Sequence, residues 1–341
     1  MLISMMSAMM ERMGPSSVHV LKPVRPWRAR GLTRDVYRAM REEFFVASPF
    51  VLHSPVPELL AASWVIIRET LFTGDADRAK KEIVAWSVSE ANRCPFCVGA
   101  HHAAVRATKG SDDALKAWAE ATAQPARPEL ASLPFATHHA EFFGTTVGFH
   151  YLNRMVSAFL DDKMMPTPDF MDGAANAMAS VMMGGMVRKQ KMLDRGGALT
   201  LLPEYDKALA WRPAWAESSP SVADALEGWS GTIETTARQR LDNDLLDALG
   251  AAIDAWEGQS PTLGDEWLTQ VRPKVAADAQ PIADLALLTA MAPYRLDDER
   301  IRAVLGERLD QEQTLVVVSW AAMRAARRVG GWVTAASTAT A

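Results

Sequence analysis

Helical periodicity runs through most of this sequence and constrains the fold more than any other feature. In "TRDVYRAMREEFFV", the side chains of Val36, Met40 and Phe44 fall on one face of a helix. "PELLAASWVIIRETLF" begins at Pro57, and proline is well tolerated at the first position of a helix. Strand-like alternation over more than four residues is scarce. The pattern predicts an all-α chain with short connections, including a long helix within residues 129–160 that bends near a glycine.

Composition changes after about residue 165 and divides the chain. We expect an irregular N-terminal segment at 1–30, whose apolar opening is disordered or weakly helical, and a first helical domain at 31–165. The stretch 166–218 is rich in Pro, Gly and Ser, which is typical of a linker. Periodic helices resume at 219–341. The sequence therefore predicts two helical units joined by an irregular connection.

The last helical segment shares a rhythm with an earlier one. "AKKEIVAWSVSEANRCPFCVGAHH" and "DQEQTLVVVSWAAMRAARRVGGWV" both pass from a polar opening through an apolar stretch to Val-Gly. In that register Arg328 stands where Cys97 stands, and Trp332 replaces His101. This similarity predicts two tandem copies of one helical bundle, with the reactive chemistry in the first copy only.

Charge and cysteine usage narrow the classes of function. The net charge of −5 gives no basic surface for a nucleic acid. No apolar run approaches the roughly 18 residues that a membrane span needs, and the opening lacks the basic region and cleavage site of a signal peptide. Two cysteines in 341 residues do not form a disulfide framework. We therefore expect a cytoplasmic protein, since a reducing compartment suits this cysteine content.

Both cysteines lie three residues apart in "EANRCPFCVGAHH". Pro95 favours a new helix that begins near Cys94, after an earlier helix has ended near Asn92. A helix N-terminus favours the thiolate, and His101 lies one turn beyond Cys97 on the same face. The Cα spacing of about 5–6 Å at i,i+3 fits an unstrained disulfide. This geometry indicates a redox couple.

Other interpretations of the cysteine pair remain open at this stage. A zinc site could use the two cysteines with His101 and His102, but adjacent histidines point about 100° apart. The missing ligand would then come from His138, His139 or His150. Covalent haem attachment needs a histidine directly after the second cysteine, and Val98 occupies that place. Two inert buried cysteines are the third possibility.

"EIVAWSVSEANRCPFCVGAHHAAV" resembles the AhpD-like alkylhydroperoxidase branch of the carboxymuconolactone decarboxylase superfamily. The family pattern is a glutamate, eleven residues, Cys-x-x-Cys, three residues and a histidine. It is matched here without gaps by Glu82, Cys94, Cys97 and His101. The motif covers about 25 residues, and the helical context from about 34 to 160 agrees with it. The resemblance implies an AhpD-like helical bundle.

The resemblance also implies site residues and their roles. Cys97 would be the peroxidatic thiolate, Cys94 the resolving thiol, and His101 with Glu82 the proton relay. In one straight helix Glu82 would lie about 18 Å from Cys94, so its role requires the chain to turn sharply after Asn92. Otherwise Glu82 is a solvated carboxylate. Some family members carry a histidine between the cysteines, where this chain has Phe96, which implies either a simpler relay or a lower activity here.

Two further histidines are candidates for the pocket. "GFHYLNRMV" resembles related family members, so His150 is a possible pocket residue, with a structural hydrogen-bonded role as the alternative. His102 is the other possible pocket residue, although a position facing solvent or a neighbouring helix suits it better.

The function that the resemblance implies is thiol-dependent reduction of alkyl hydroperoxides through a redox-active disulfide. No flavin or nicotinamide fingerprint occurs, so we expect no cofactor and no metal. By family analogy, electrons would come from a lipoyl or thioredoxin-like dithiol protein, and the chain would form a homo-oligomer. The alternatives are a lactone-acid decarboxylase of the same superfamily, which does not need the cysteine pair, and a non-catalytic redox sensor on the same fold.

Overall fold

The computed structural model describes residues 2–162 and 193–338, with Gly173 and Val181 between them. The all-α prediction is confirmed, because these residues form helices and no strand, apart from two isolated bridges. Most of the predicted linker, 166–192, lies outside the described residues. Its described part, 193–218, holds only three short 3₁₀ helices. None of the described helices combines the length and the apolarity that a bilayer crossing requires.

The first half of the described chain contains eight α-helices. Five of them begin with proline in the first turn or follow an aspartate whose carboxylate accepts a backbone N–H, as helix starts commonly do. A π-helical turn, Arg68–Phe72, extends α4. The helices are α1 Leu2–Met13, α2 Gly31–Glu43, α3 Ser48–Val51, α4 Pro57–Ile67, α5 Arg78–Ala91, α6 Pro95–Thr108, α7 Asp113–Ala121 and α8 His139–Phe159.

The second described half contains six α-helices. It is dominated by two long ones, the first of 21 residues and the last of 28. The helices are α9 Pro220–Arg240, α10 Asn243–Asp254, α11 Glu266–Val271, α12 Gln280–Met291, α13 Asp298–Arg302 and α14 Gln311–Thr338.

Helix α8 forms the centre of the molecule. Every residue from Ala140 to Phe159 except Ser157 is buried, as expected for a helix that is covered on all sides. It packs along α14, α5 and α4, and α4 packs on α9, so the two halves share one apolar core. The polar side chains on α8, among them His150, Asn153 and Arg154, are therefore buried between helices.

The long helix is shorter than the sequence predicted. Residues 129–138 form a 3₁₀ turn and a loop, and α8 begins only at His139. It then runs without interruption through Gly144 and Gly148. A Cβ at Gly144 would come within 2.8 Å of the Thr70 side chain, so this glycine permits close helix packing.

The predicted duplication stays a prediction. α14 runs unbroken over the stretch that was compared with residues 78–108, whereas that earlier stretch is divided into α5 and α6. The N-terminal segment 1–30 contains α1 and two short 3₁₀ helices. Its apolar opening, expected to be disordered or weakly helical, forms α1.

Candidate active site

The chain turns sharply between α5 and α6, as the proline and asparagine predicted. Asn92 caps α5, Arg93 takes a left-handed conformation with φ of 55°, and Cys94 caps α6 ahead of Pro95. The Cys94 N–H donates to the carbonyl of Ser89, and the Arg93 N–H donates to that of Glu90, both at 3.0 Å. This pair of bonds closes a Schellman-type helix end. The turn folds α6 back against α5, which brings residues from both helices together.

Both cysteines lie at the start of α6 and are unbonded thiols. Cys94 is 1% exposed and Cys97 is 2% exposed. Burial raises the pKa of the Cys97 thiol well above its usual range, and a hydrogen bond with Cys94 raises it further, while one with Asn153 lowers it. The expectation that the helix N-terminus favours a thiolate is therefore opposed by burial. Cys97 rests as a thiol and needs a base to react.

Glu82 and His101 meet across the turn. Glu82 Oε2 lies 2.6 Å from His101 Nδ1, and Glu82 Oε1 accepts from Arg78 Nε at 2.8 Å. The carboxylate is fully buried. Burial alone would raise the pKa of Glu82, but the charges of Arg78 and His101 and their hydrogen bonds together lower it to about 2. Glu82 is thus an ionised carboxylate that fixes the ring of His101.

His101 and Cys97 occupy the same face of α6. The His101 ring packs edge-on against Phe149 of α8, with centroids 4.6 Å apart. Cys97 hydrogen-bonds Asn153, which lies four residues further along α8. His101 and Cys97 are one turn apart on α6, and their partners Phe149 and Asn153 are one turn apart on α8. Cβ atoms one turn apart on the same helix are separated by about 5–6 Å. The fold brings Glu82 and His101 into direct contact, and Cys97 lies one helical turn from His101 on α6.

An apolar cavity of about 70 Å³ opens beside this group. His101, Glu82 and Arg78 supply its ionisable groups. The other lining side chains are almost all hydrophobic, and neither cysteine is among the described residues that line it. The hydrophobic lining includes Met10, Phe44, Phe45, Phe50, Ile67, Leu71, Phe72, Phe96, Phe149 and Leu152. Cys94 borders a separate open hollow of about 320 Å³, next to Arg93 and Tyr294.

His150 lies on α8 in a buried hydrogen-bond network, away from the apolar cavity. Its Nδ1 is 3.1 Å from Asn92 Nδ2, and its Nε2 is 3.0 Å from Thr122 Oγ1. Asn92 also donates to Asn153 Oδ1 at 3.0 Å. Burial lowers the pKa of His150 well below its usual range, and the charge of Arg154 lowers it further. His150 is thus a neutral, hydrogen-bonded histidine that lines a second cavity.

His102, His138 and His139 do not line the apolar cavity. His102 is exposed and stacks on Trp86 at 4.8 Å between centroids, so it does not line the apolar cavity. His138 and His139 lie at the start of α8, where His138 comes 4.0 Å from Glu141. Of the histidines that a zinc site at the cysteines would use, His102 stacks on Trp86, and His150 contacts Asn92 and Thr122.

Sequence reasoning missed two residues of the site. Arg78 precedes Glu82 by four residues, so the i,i+4 spacing could have identified it. Asn153 had no such signal, because its contact with Cys97 depends on how α6 packs on α8. Lys81, a neighbour of Glu82 in the sequence, points elsewhere and pairs with Glu141 at 2.5 Å.

No family model matches the chain. It is 32% identical over 341 residues to a protein of Mycobacterium tuberculosis (strain ATCC 25618 / H37Rv) named alkyl hydroperoxide reductase Rv2159c. The alignment covers 94% of this chain and 96% of that relative. The similarity therefore extends over both halves of the molecule and far beyond the cysteine motif.

Proposed function

This chain belongs to the AhpD-like alkylhydroperoxidase branch of the carboxymuconolactone decarboxylase superfamily, and from that premise we propose that it reduces organic hydroperoxides through Cys94 and Cys97. The observation that carries the proposal is the 2.6 Å contact between Glu82 and His101, one helical turn from Cys97. A buried thiol with a raised pKa is unreactive until a base removes its proton. His101, held by an ionised Glu82, is the base that the fold offers.

The first half of the reaction oxidises Cys97. His101 takes the thiol proton, and the thiolate attacks one peroxide oxygen. The S–O bond forms as the O–O bond breaks, and the leaving alkoxide takes the proton back from His101 and departs as an alcohol. Cys97 is left as a sulfenic acid.

The second half closes and reopens a disulfide. The Cys94 thiol attacks the sulfenic sulfur, the S–S bond forms, and the hydroxyl leaves as water with the Cys94 proton. A dithiol protein of the lipoyl or thioredoxin-like class then reduces the disulfide and becomes oxidised itself. The hollow beside Cys94 supports an approach of this donor from that side.

The apolar cavity supports a hydroperoxide that carries a hydrocarbon group. Aromatic and aliphatic side chains surround the ionisable groups of His101 and Glu82. A hydrocarbon substituent gains free energy there by leaving water, while the peroxide group lies at the polar end. We propose alkyl or aryl hydroperoxides in preference to hydrogen peroxide for this reason.

We also propose that the protein acts in the cytoplasm. Two cysteines in 341 residues, both needed as thiols between turnovers, support a reducing cytoplasm. Assembly into a homo-oligomer is carried over from the family resemblance. A lactone-acid decarboxylase would leave the cysteine pair without a role, and a redox sensor would not consume peroxide catalytically.

Dimedone labelling of the full-length protein tests the assignment. Treatment with one equivalent of cumene hydroperoxide should convert the wild type to a Cys94–Cys97 disulfide, seen by mass spectrometry. Cys97→Ser should abolish peroxide consumption. Cys94→Ser should complete one turnover and trap dimedone on Cys97, because the sulfenic acid forms but is not resolved.

Two other results would count against the assignment. Label on Cys94 in Cys97→Ser, with none on Cys97 in Cys94→Ser, would reverse the two roles. Peroxide that survives incubation with reduced wild-type protein would reject the peroxidase function and favour the sensor or decarboxylase alternative.

A further inference from the structure

Arg154 is a buried cation without a carboxylate partner. It lies on α8 and is 2% exposed. Nε donates to the carbonyl of Ala290 at 3.0 Å, and Nη1 donates to that of His150 at 2.6 Å. Within the part of the chain that the structure describes, Nη2 has no hydrogen-bond partner and no acidic group pairs with the guanidinium. Burial alone lowers the pKa of Arg154 to about 9, and an unpaired buried charge is costly.

Arg154 lines a cavity of about 100 Å³ where α8 meets the end of α12 and the loop after α10. On this measure one water needs only about 10–15 Å³, so a ligand of several heavy atoms fits. The described lining residues include two arginines and no acidic residue. Gln124, Gln259 and Ser260 supply neutral polar groups, and Trp256, Met291 and Val329 supply an apolar wall.

His150 does not supply the missing negative charge. Asn92 and Arg154 both place N–H groups towards its Nδ1, at 3.1 and 3.4 Å, so Nδ1 acts as the acceptor. Its Nε2 then carries the hydrogen and donates to Thr122 Oγ1, which donates its own hydrogen to Ala119 O at 2.6 Å. Both ring nitrogens of His150 thus have hydrogen-bond partners and the ring is neutral. The Arg154 guanidinium lies 6.0 Å from the centre of the Trp256 ring, but no negative charge among the described residues pairs with it.

A second arginine, Arg93, lines the cavity near its entrance. Arg93 is exposed, and its guanidinium lies 4.6 Å from the centre of the Tyr294 ring. Its backbone takes the left-handed conformation that glycine adopts without strain. The arginine side chain thus places a cation at the entrance, at a position where glycine would suit the backbone better.

We propose that this cavity binds a small organic carboxylate. The carboxylate would accept hydrogen bonds from Arg154 Nη2 and from the amide groups of Gln124 or Gln259. Its hydrocarbon part would lie against Trp256, Met291 and Val329. This apolar wall favours an organic acid over phosphate or sulfate, which need polar partners on every side. The site is distinct from the cavity beside His101 and does not depend on the peroxidase function.

Calorimetric titration and thermal unfolding of the full-length protein test the proposal. The probes are sodium formate, acetate, propionate, butyrate and benzoate, with ionic strength held constant by sodium chloride. At least one of them should bind saturably with a stoichiometry near one. At 100 times its Kd it should raise Tm by about 4 °C, because a ligand that binds only the folded state stabilises it.

Three variants test whether the carboxylate binds in the cavity beside Arg154. Arg154→Met should weaken binding at least tenfold. Arg93→Gly keeps the backbone conformation and removes the cation at the mouth, so it should weaken binding about threefold or more. Arg327→Met is the matched control, because it removes a largely buried arginine of α14 that does not line this cavity. It should leave Kd unchanged.

Several outcomes would overturn the proposal. Absence of saturable binding for all five carboxylates would mean that the cavity holds only water. Equal affinity in Arg93→Gly and the wild type would place the binding elsewhere, even if Arg154→Met fails to fold. Tighter Arg154-dependent binding of sulfate than of every carboxylate would reject the ligand class.

Discussion

Replacing Glu82 by glutamine tests how much the negative charge of this side chain, apart from its volume, contributes to stability and activity. The carboxylate is buried between Arg78 and His101, and glutamine keeps the volume but removes the charge. The pKa of Glu82 falls from 4.5 to about 2 in the folded chain, and each pKa unit corresponds to about 1.4 kcal/mol. We therefore expect Glu82→Gln to lower the free energy of unfolding at pH 7 by about 3 kcal/mol.

The pH dependence follows from the direction of this shift. Because the folded pKa of Glu82 lies below the unfolded one, its contribution is complete above about pH 4.5 and is lost as pH falls towards 2. Urea titrations at pH 7, 5 and 3 should show the wild type losing stability on acidification more steeply than Glu82→Gln. Parallel curves for the two proteins would refute the electrostatic argument.

Glu141→Gln is the control for activity. Glu141 is also buried, pairs with Lys81 at 2.5 Å, and accepts the N–H groups of Asp75 and Ala76. Both variants should therefore be destabilised. Only Glu82→Gln should slow peroxide turnover, by about a hundredfold, because general-base catalysis contributes 10²–10⁴. Equal loss of kcat in both variants, measured well below their Tm, would remove Glu82 from the mechanism.

Three further predictions concern the surroundings of the site. Asn153→Leu removes a hydrogen bond that lowers the pKa of Cys97, so iodoacetamide should alkylate that thiol only at higher pH than in the wild type. An unchanged pH dependence of alkylation would argue against the contact between Asn153 and Cys97. Gly144→Ala places a Cβ 2.8 Å from the Thr70 side chain and should destabilise the chain by about 1–3 kcal/mol in urea titrations. A neutral effect would show that the π-helical turn Arg68–Phe72 can move away from α8. His102→Ala should change peroxide turnover by less than about twofold, since the ring stacks on Trp86 outside the cavity, and a large loss would restore it to the pocket.

Local sequence chemistry predicted the features that depend on neighbouring residues. Asn92 and Pro95 indicated where α5 ends and α6 begins, and this turn is what allows Glu82 to reach His101. The helical period indicated the fold class. In each case the physical cause, a cap, a missing N–H or an apolar face, lies within a few residues of its effect.

Features that depend on packing between distant segments were not predictable in this way. The sequence could not show that Asn153 hydrogen-bonds Cys97, or that burial would outweigh the helix N-terminus in setting the pKa of that thiol. It could not show that His150 faces Asn92 and Thr122. These contacts arise where α8 packs against α5, α6 and α7, over separations of 28 to 61 residues.

Arg78 offers the sharpest test of how the site is held together, because its neighbour Lys80 carries the same charge on the same helix. Arg78 bonds Glu82, whereas Lys80 is exposed and pairs with Asp112 at 3.2 Å. Arg78→Gln removes the largest of the effects that lower the pKa of Glu82, so that pKa should rise towards its usual value. The acid limb of the unfolding curve should then move to higher pH, while Lys80→Gln should leave it in place. Circular dichroism followed from pH 7 to pH 2 measures both. If the two variants shift the acid limb equally, the effect reflects net charge, and Arg78 does not hold Glu82 in its ionised state.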